Sequence, residues 1–372
     1  MNPASAAEAI PAPHEGTSPR ERILAVLNGG MPDRVPFTIK RPQPPQGAIE
    51  RRLRNEGMAI CCEELPFTIA RPNVEVLRRE TCAGDRQRYE ETYRTPVGEV
   101  AQTWEIEPGY GSRHIVEFLI KRPQDYAVVA SLAQDERYAP AFDKFRRAEQ
   151  VLGQDGFVFC GWLGPTPLLK MLWELMDPEM FAIGLLEHPR EFRNLYETLF
   201  EKQLEQVRIV AEGPGLVAHF AENLTAEMIG GRRFREYVLP VYAEFAAILR
   251  PKGKLLAAHL DGHLKSLAND LAVSALDIIE AFCPCPDGDM TVDAARRLWP
   301  DKILWINFPS PMHLEPPERI RDCVRQILAA TAPGQRFLFG ITEDIPDGVW
   351  DVSLPVISAA LQEYGRLPIA VA

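Results

Sequence analysis

Residues 255–280, LLAAHLDGHLKSLANDLAVSALDIIE, read as strand, helix and strand in succession. Leu255–His259 is a short apolar run, Leu264–Ala272 is amphipathic at helical spacing, and Ala275–Glu280 is apolar again. Such an order implies parallel strands joined by a helical crossover. The alternation continues on both sides. Gly156–Gly161 and Leu216–Ala221 are further strands, with helical Glu191–Val210 and Arg232–Leu249 upstream of residue 255. Ile303–Asn307 and Phe337–Ile341 follow, preceded by helical Val292–Leu298 and Pro317–Ala330. With a first strand entered at Val35, the units approach the eight of a closed (β/α)8 (TIM) barrel, an α/β fold. An open doubly wound sheet fits the same alternation. No Gly-rich phosphate loop follows the first strand, which leaves a dinucleotide or P-loop site with little support.

The N-terminal part differs in rhythm. Met1–Gly16 is rich in Ala and Pro, without a basic start and apolar core, so residues 1–17 read as a disordered tail and not a secretory signal. Ser18, Pro19 and Glu21 form a capping box that opens a short helix. Residues 47–57 read as a helix. From Val74 to Val116 polar and apolar residues alternate around Thr95–Gly98, which predicts a β-hairpin, near residues 85–118, inserted before the main barrel. Residues 18–372 then read as one barrel domain.

Composition limits the function. The 372 residues are 46% hydrophobic and 25% charged, as in an ordinary globular enzyme. A net charge of -11 disfavours a nucleic-acid partner. No apolar run has the length of a membrane helix. Seven cysteines without framework spacing suit a reduced, cytoplasmic chain. Cys283 and Cys285 are closer together than in the usual metal-binding pair, and buried thiols are the simpler reading. A small-molecule substrate is the expected partner, with an oligomer possible.

In a barrel, chemistry gathers where strands end and loops begin. Polar residues recur at such positions: Glu222 and Asn223, then His259, Asp261 and His263, then Glu280, Asn307 and Glu343. His259 and Asp261 lie two apart, so on an extended strand they face one side. With Glu343 from another strand they would suit zinc or a harder divalent ion. The same pair could act without metal as an acid and base. A third reading makes Asp261 the N-cap of the helix from Leu264. Glu222 is a candidate for assisting protonation. Asn223, His263, Glu280 and Asn307 are candidates for holding substrate, although Asn223 could also cap a helix near Ala226. Trp162, beside Gly164-Pro165, is a candidate aromatic wall. Trp173 and Trp305 read as core.

Several segments together resemble the uroporphyrinogen decarboxylase superfamily: the opening Ser18–Gly30 with Pro32–Pro36, then Gly156–Leu168, Lys254–Gly262, Ala275–Asp289 and Gly340–Pro346 with the closing Glu363–Gly365. The resemblance implies a barrel enzyme. Authentic decarboxylases carry an arginine-rich stretch after the first strand to hold propionates. Here Arg41 falls on its first arginine, Pro45 replaces the second, and Ile341–Asp344 lacks the histidine those enzymes place near the last strand. The other large branch holds methyltransferases serving corrinoid proteins, some with zinc on a His-x-Cys and a distant Cys. His259, Asp261 and Glu343 fall on those positions, with oxygen in place of sulfur. The resemblance therefore implies a methyltransferase that moves a methyl group from a small methylated donor, at a zinc-like divalent centre, to a corrinoid on a separate protein. No corrinoid-binding Asp-x-His-x-x-Gly occurs in this chain. The alternatives are a metal-free decarboxylase of a tetrapyrrole or other carboxylate, with Arg41 binding a carboxylate and Asp261 or Glu222 assisting protonation, and a non-catalytic ligand-binding barrel.

Overall fold

The computed structural model describes residues 16–40, 47–84, 86–107, 112–161, 163–346 and 348–370. Eight parallel strands form its centre: β1 (Phe37–Lys40), β2 (Met58–Glu63), β3 (Gly156–Phe159), β4 (Val217–Phe220), β5 (Leu255–His259), β6 (Ile278–Phe282), β7 (Ile303–Asn307) and β8 (Phe337–Ile341). They lie in the order β4-β5-β6-β7-β8-β1-β2-β3. The remaining seam, β3 to β4, is closed by a parallel bridge between Cys160 and Ala218. There the Cys160 amide donates to Val217 O at 2.9 Å and the His219 amide to Cys160 O at 2.8 Å. The expected barrel is therefore present, and an open sheet is ruled out by this closure.

Parallel strands covered on both faces are apolar throughout, which is why runs such as LLAAH and ILWIN lack polar–apolar alternation. Inside the barrel, Ala59, Cys61, Phe157, Phe159, Val217, Ala257, Ile278, Ile303, Trp305 and Leu338 pack as one cluster. Ile23, Val26 and Leu27 join it from the helix Pro19–Leu27, closing the N-terminal end of the barrel. That helix starts at the expected capping box of Ser18 and Glu21. Trp305 is interior and donates its indole N–H to Thr38 Oγ1 at 2.8 Å. Gly340 leaves room for it: a Cβ there would lie 2.6 Å from the Ile306 carbonyl oxygen and 2.8 Å from the Trp305 indole nitrogen. The larger core lies between the strands and the outer helices.

Two features go beyond the sequence reading. The expected hairpin is there, turning between Arg86–Thr95 and Gly98–Ile106, but Glu75–Ala83 and Arg113–Glu117 flank it to make a four-stranded antiparallel meander. Cross-strand pairs such as Arg78 with Glu91 allow so charged a ribbon to form. Phe67–Ala70 also pairs with Arg137–Pro140 in a small second sheet. At the mouth, Ser112 donates to Asp344 Oδ2 at 3.3 Å, so the meander touches the loop after β8. No helix among the described residues is long and apolar enough to cross a membrane.

Candidate functional site

Side chains alternate between the two faces of a strand, so every second residue of a barrel strand points inward. Apolar Val217, Ala257, Ile278 and Trp305 fill the interior, and two positions further on come His219, His259, Glu280 and Asn307. With Lys40 from β1 and Glu63 from β2 they form a polar layer at the C-terminal end of the barrel. Its centre is Glu280, which is 1% exposed. One oxygen, Oε2, takes both His219 Nε2 and His259 Nδ1 at 2.8 Å. On the far side of His219, Nδ1 lies 3.5 Å from Glu63 Oε1, and Lys40 Nζ holds that carboxylate at 2.8 Å. On the far side of His259, Nε2 lies 3.2 Å from Glu343 Oε1 and 3.8 Å from Asp261 Oδ2.

Burial is the largest influence on Glu280 and favours its neutral form, yet the two imidazoles outweigh it and hold the carboxyl well below its usual range. Burial likewise disfavours charge on His259. Glu280 and Glu343 overcome it and raise the imidazole well above its usual value. Burial and Glu343 raise Asp261 against the pull of His259. Among the described residues, four carboxylates (Glu63, Glu280, Asp261 and Glu343) thus face one ammonium, Lys40, and two imidazoles. Even with both imidazoles protonated, these described groups keep an excess negative charge, which favours a cation.

The donor set fits a divalent ion. Ligand atoms of His259, Asp261 and Glu343 all lie within 4.8 Å of one another. Zinc bonds of 2.0–2.2 Å would place tetrahedral ligands roughly 3.4 Å apart, and the distances of 3.2 and 3.8 Å from His259 Nε2 straddle that value. Metal-bound histidines commonly give their other ring nitrogen to a carboxylate, which here is Glu280. His219, His259 and Glu280 form a second cluster of metal-capable groups. Its atoms already bond to one another at 2.8 Å, as expected of groups that support a neighbouring site.

The surroundings free and fix these three side chains. Asp289, not Asp261, accepts the Leu264 and Lys265 amides ahead of the following helical turns, at 2.9 and 3.2 Å. The N-cap reading of Asp261 is thereby replaced. Asn307 Oδ1 accepts the amides of Thr342 and Glu343 at 2.9 and 3.3 Å, and Thr342 Oγ1 donates to Glu343 Oε1 at 3.2 Å. Asn307 therefore anchors the loop that presents Glu343.

Other residues singled out in the sequence lie elsewhere. His263 is exposed and pairs with Glu227 at 3.0 Å. Asn223 is exposed, at φ 44°, and lines a cavity beside the mouth. Thr225, not Asn223, stands at the N-cap of the helix Ala226–Arg233. Arg41 and Trp162 lie outside the described residues. Cys283 is buried and Cys285 exposed, and neither joins a metal-capable cluster among the described residues. The sequence reading passed over Lys40, Glu63 and His219. Extending the inward alternation of each strand to its last residue would have found His219.

Glu222 is fully buried and its Oε2 accepts the Thr166 amide and hydroxyl at 2.9 and 3.0 Å, tying the loop after β3 to the loop after β4. Burial pushes its carboxyl up to about 7. A group whose pKa rises on folding from 4.5 holds a proton that the unfolded chain has released, so stability falls as pH rises from about 4.5 to 7. The loss amounts to about 3 kcal/mol. Glu222→Gln, which cannot ionise, is expected to melt like the parent at pH 5 and several degrees higher at pH 8. Parallel melting curves at both pH values that leave the difference unchanged would refute this account of Glu222.

Residues 18–350 match the family model for uroporphyrinogen decarboxylase (URO-D). The chain belongs to the uroporphyrinogen decarboxylase family. Among solved structures, this family member resembles a methyltransferase from Methanosarcina mazei, with a TM-score of 0.58 and 11% identity over 94% of this chain and 99% of that one. At that identity the likeness is one of fold. No curated protein sequence matches the chain. The family places an enzyme's fold under the polar layer, and the C-terminal mouth is where barrel enzymes carry their chemistry.

Proposed function

We propose that this family member is a methyltransferase that takes a methyl group from a small methylated donor, such as a methyl ether or methylamine, and delivers it to a corrinoid held by a separate protein. His259, Asp261 and Glu343 would hold a divalent ion, zinc being the best match to one nitrogen and two oxygens. The observation that carries the reading is the convergence of these three ligands, with Glu280 gripping the far side of the imidazole. The solved methyltransferase of the same fold supports the choice of reaction. Such an ion, when bound, supplies Lewis acidity to the heteroatom that loses the methyl group. The chain's own residues do the rest. Glu280 fixes the orientation of His259, Asn307 and Thr342 fix Glu343, and the barrel wall keeps bulk water from the layer below. Three protein ligands would leave the ion open to the donor heteroatom, as in catalytic rather than structural zinc sites.

Two measurements test this reading. Protein purified without added metal is expected to carry about one divalent ion per chain by elemental analysis. With reduced cobalamin and a panel of methyl ethers and methylamines, it is expected to form methylcobalamin, followed by visible absorbance. Active protein free of stoichiometric metal would overturn the metal assignment.

A second reading rests on the protonation of His259. An imidazolium held between Glu280 and Glu343 is a ready proton donor to a carbon that has lost carbon dioxide, as a metal-free decarboxylase of a carboxylate substrate requires. Release of carbon dioxide from such a substrate by metal-free protein would favour it.

A further inference from the structure

Beside the barrel mouth, the meander and the outer helices enclose a cavity of about 520 Å³, a volume typical of small-molecule sites. Its apolar wall is built by Leu119, Val129, Leu132, Leu175 and Leu199, all on the barrel side. The meander supplies the opposite wall through Tyr93, Gln102, Arg113 and Ile115. A second cavity, about 310 Å³, shares Arg71, Glu136, Lys170 and Glu174 with the first. It runs on to Gly164, Ala221 and Asn223, in the loops after β3 and β4. The two make one cleft leading from beneath the meander toward the mouth.

The charges along this cleft are not equally committed. Arg71 is paired with Glu136, which also accepts the Tyr138 hydroxyl. Lys170 lies 3.6 Å from Glu174, a loose pair. Arg113 has no carboxylate partner among the described residues. Its guanidinium carbon lies over the Trp104 ring, 3.6 Å from the centroid, and Trp104 stacks on Tyr89 at 4.2 Å. This cross-strand stack restrains the guanidinium, and no side chain among the described residues takes its hydrogen-bonding edge. A stacked arginine of this kind recognises a carboxylate by its planar fork.

We propose that the cleft is a binding site for an amphipathic carboxylate, with the apolar body against the leucine wall and the carboxylate on Arg113, assisted by Lys170. An apolar wall of this size excludes a small hydrophilic acid as the preferred ligand, because the wall would stay wet and unused. The uncommitted cation in turn separates an acid from an alcohol of equal length. The site is independent of the metal layer and of the methyl-transfer reading.

Octanoate and 1-octanol are the probes, titrated calorimetrically into the full chain. Octanoate is expected to bind once per chain and at least tenfold tighter than octanol. Arg113→Gln should erase most of that difference, and since Arg113 is an exposed residue on the meander the variant is expected to fold. Leu132→Trp, which fills the cavity, should abolish binding of both, with far-UV circular dichroism checking its fold. If Leu132→Trp does not fold, Arg113→Gln and Lys170→Gln still decide the matter. Binding of octanoate should persist in His259→Ala, which separates this site from the barrel centre. Absence of saturable octanoate binding, equal binding of acid and alcohol, or binding indifferent to Arg113→Gln would each overturn the proposal.

Discussion

His259→Ala is expected to lose bound metal to background and to reduce methyl transfer by about three orders of magnitude or more, the scale on which removal of a central catalytic group acts. The reason lies in the position of the ring. His259 is 6% exposed and both of its nitrogens are in use, Nδ1 toward Glu280 and Nε2 toward Glu343 and Asp261. Among the described residues, no other histidine joins the two outer carboxylates in a metal-capable group. The variant would leave Asp261 and Glu343 facing each other without the imidazole that now lies beside both. Glu280 keeps His219 as a partner, so the barrel should still fold, at a cost of about 2–4 kcal/mol for disrupting a buried charged network. Elemental analysis and a denaturant melt separate the two effects. A His259→Ala protein that retains one ion per chain would place the metal elsewhere, and one that retains activity would remove His259 from the chemistry altogether.

The fold was legible because parallel barrel strands are apolar runs of strand length separated by amphipathic helices, and residues 255–280 display that order without interruption. The second strand, Met58–Glu63, escaped notice for a physical reason. It follows the preceding helix after only two residues and ends in the half-polar Cys62 and Glu63. That ending is the sign of a strand whose last inward residue faces the mouth. The candidate site was legible where a polar residue broke an apolar run at its end, as at His259, Glu280 and Asn307. His219 was not, because it sits inside Val217–Phe220 and is 1% exposed, so the run reads as core. Its neighbours across space, Glu280 and Glu63, are separated from it by 61 residues or more in sequence, and local pattern carries no trace of that proximity. The same holds for Asp289, whose carboxylate takes over the helix cap and leaves Asp261 to the mouth. Only this long-range bond removes the cap role from Asp261.

Glu280→Gln offers a sharper test of how the layer works, because it keeps the size of the side chain and removes only its charge. In the parent, one carboxylate oxygen takes a hydrogen bond from each imidazole. An amide oxygen can still accept both bonds, but as a neutral group it no longer favours charge on, or electron donation by, His259. Loss of a carboxylate behind a metal-bound histidine typically weakens the metal 10- to 100-fold. The expected result is therefore a chelator competition curve shifted by that factor, with the barrel still folded. Lys40, whose ammonium is raised by Glu280 and Glu63 against the cost of burial, also loses support. Some destabilisation, about 1–3 kcal/mol, should accompany the change. The two readouts answer different questions. If Glu280 served only to pack the barrel, stability would fall and the metal affinity of the folded fraction would stay at the parent value. A shift in affinity that exceeds any shift in stability is what an orienting carboxylate behind His259 requires.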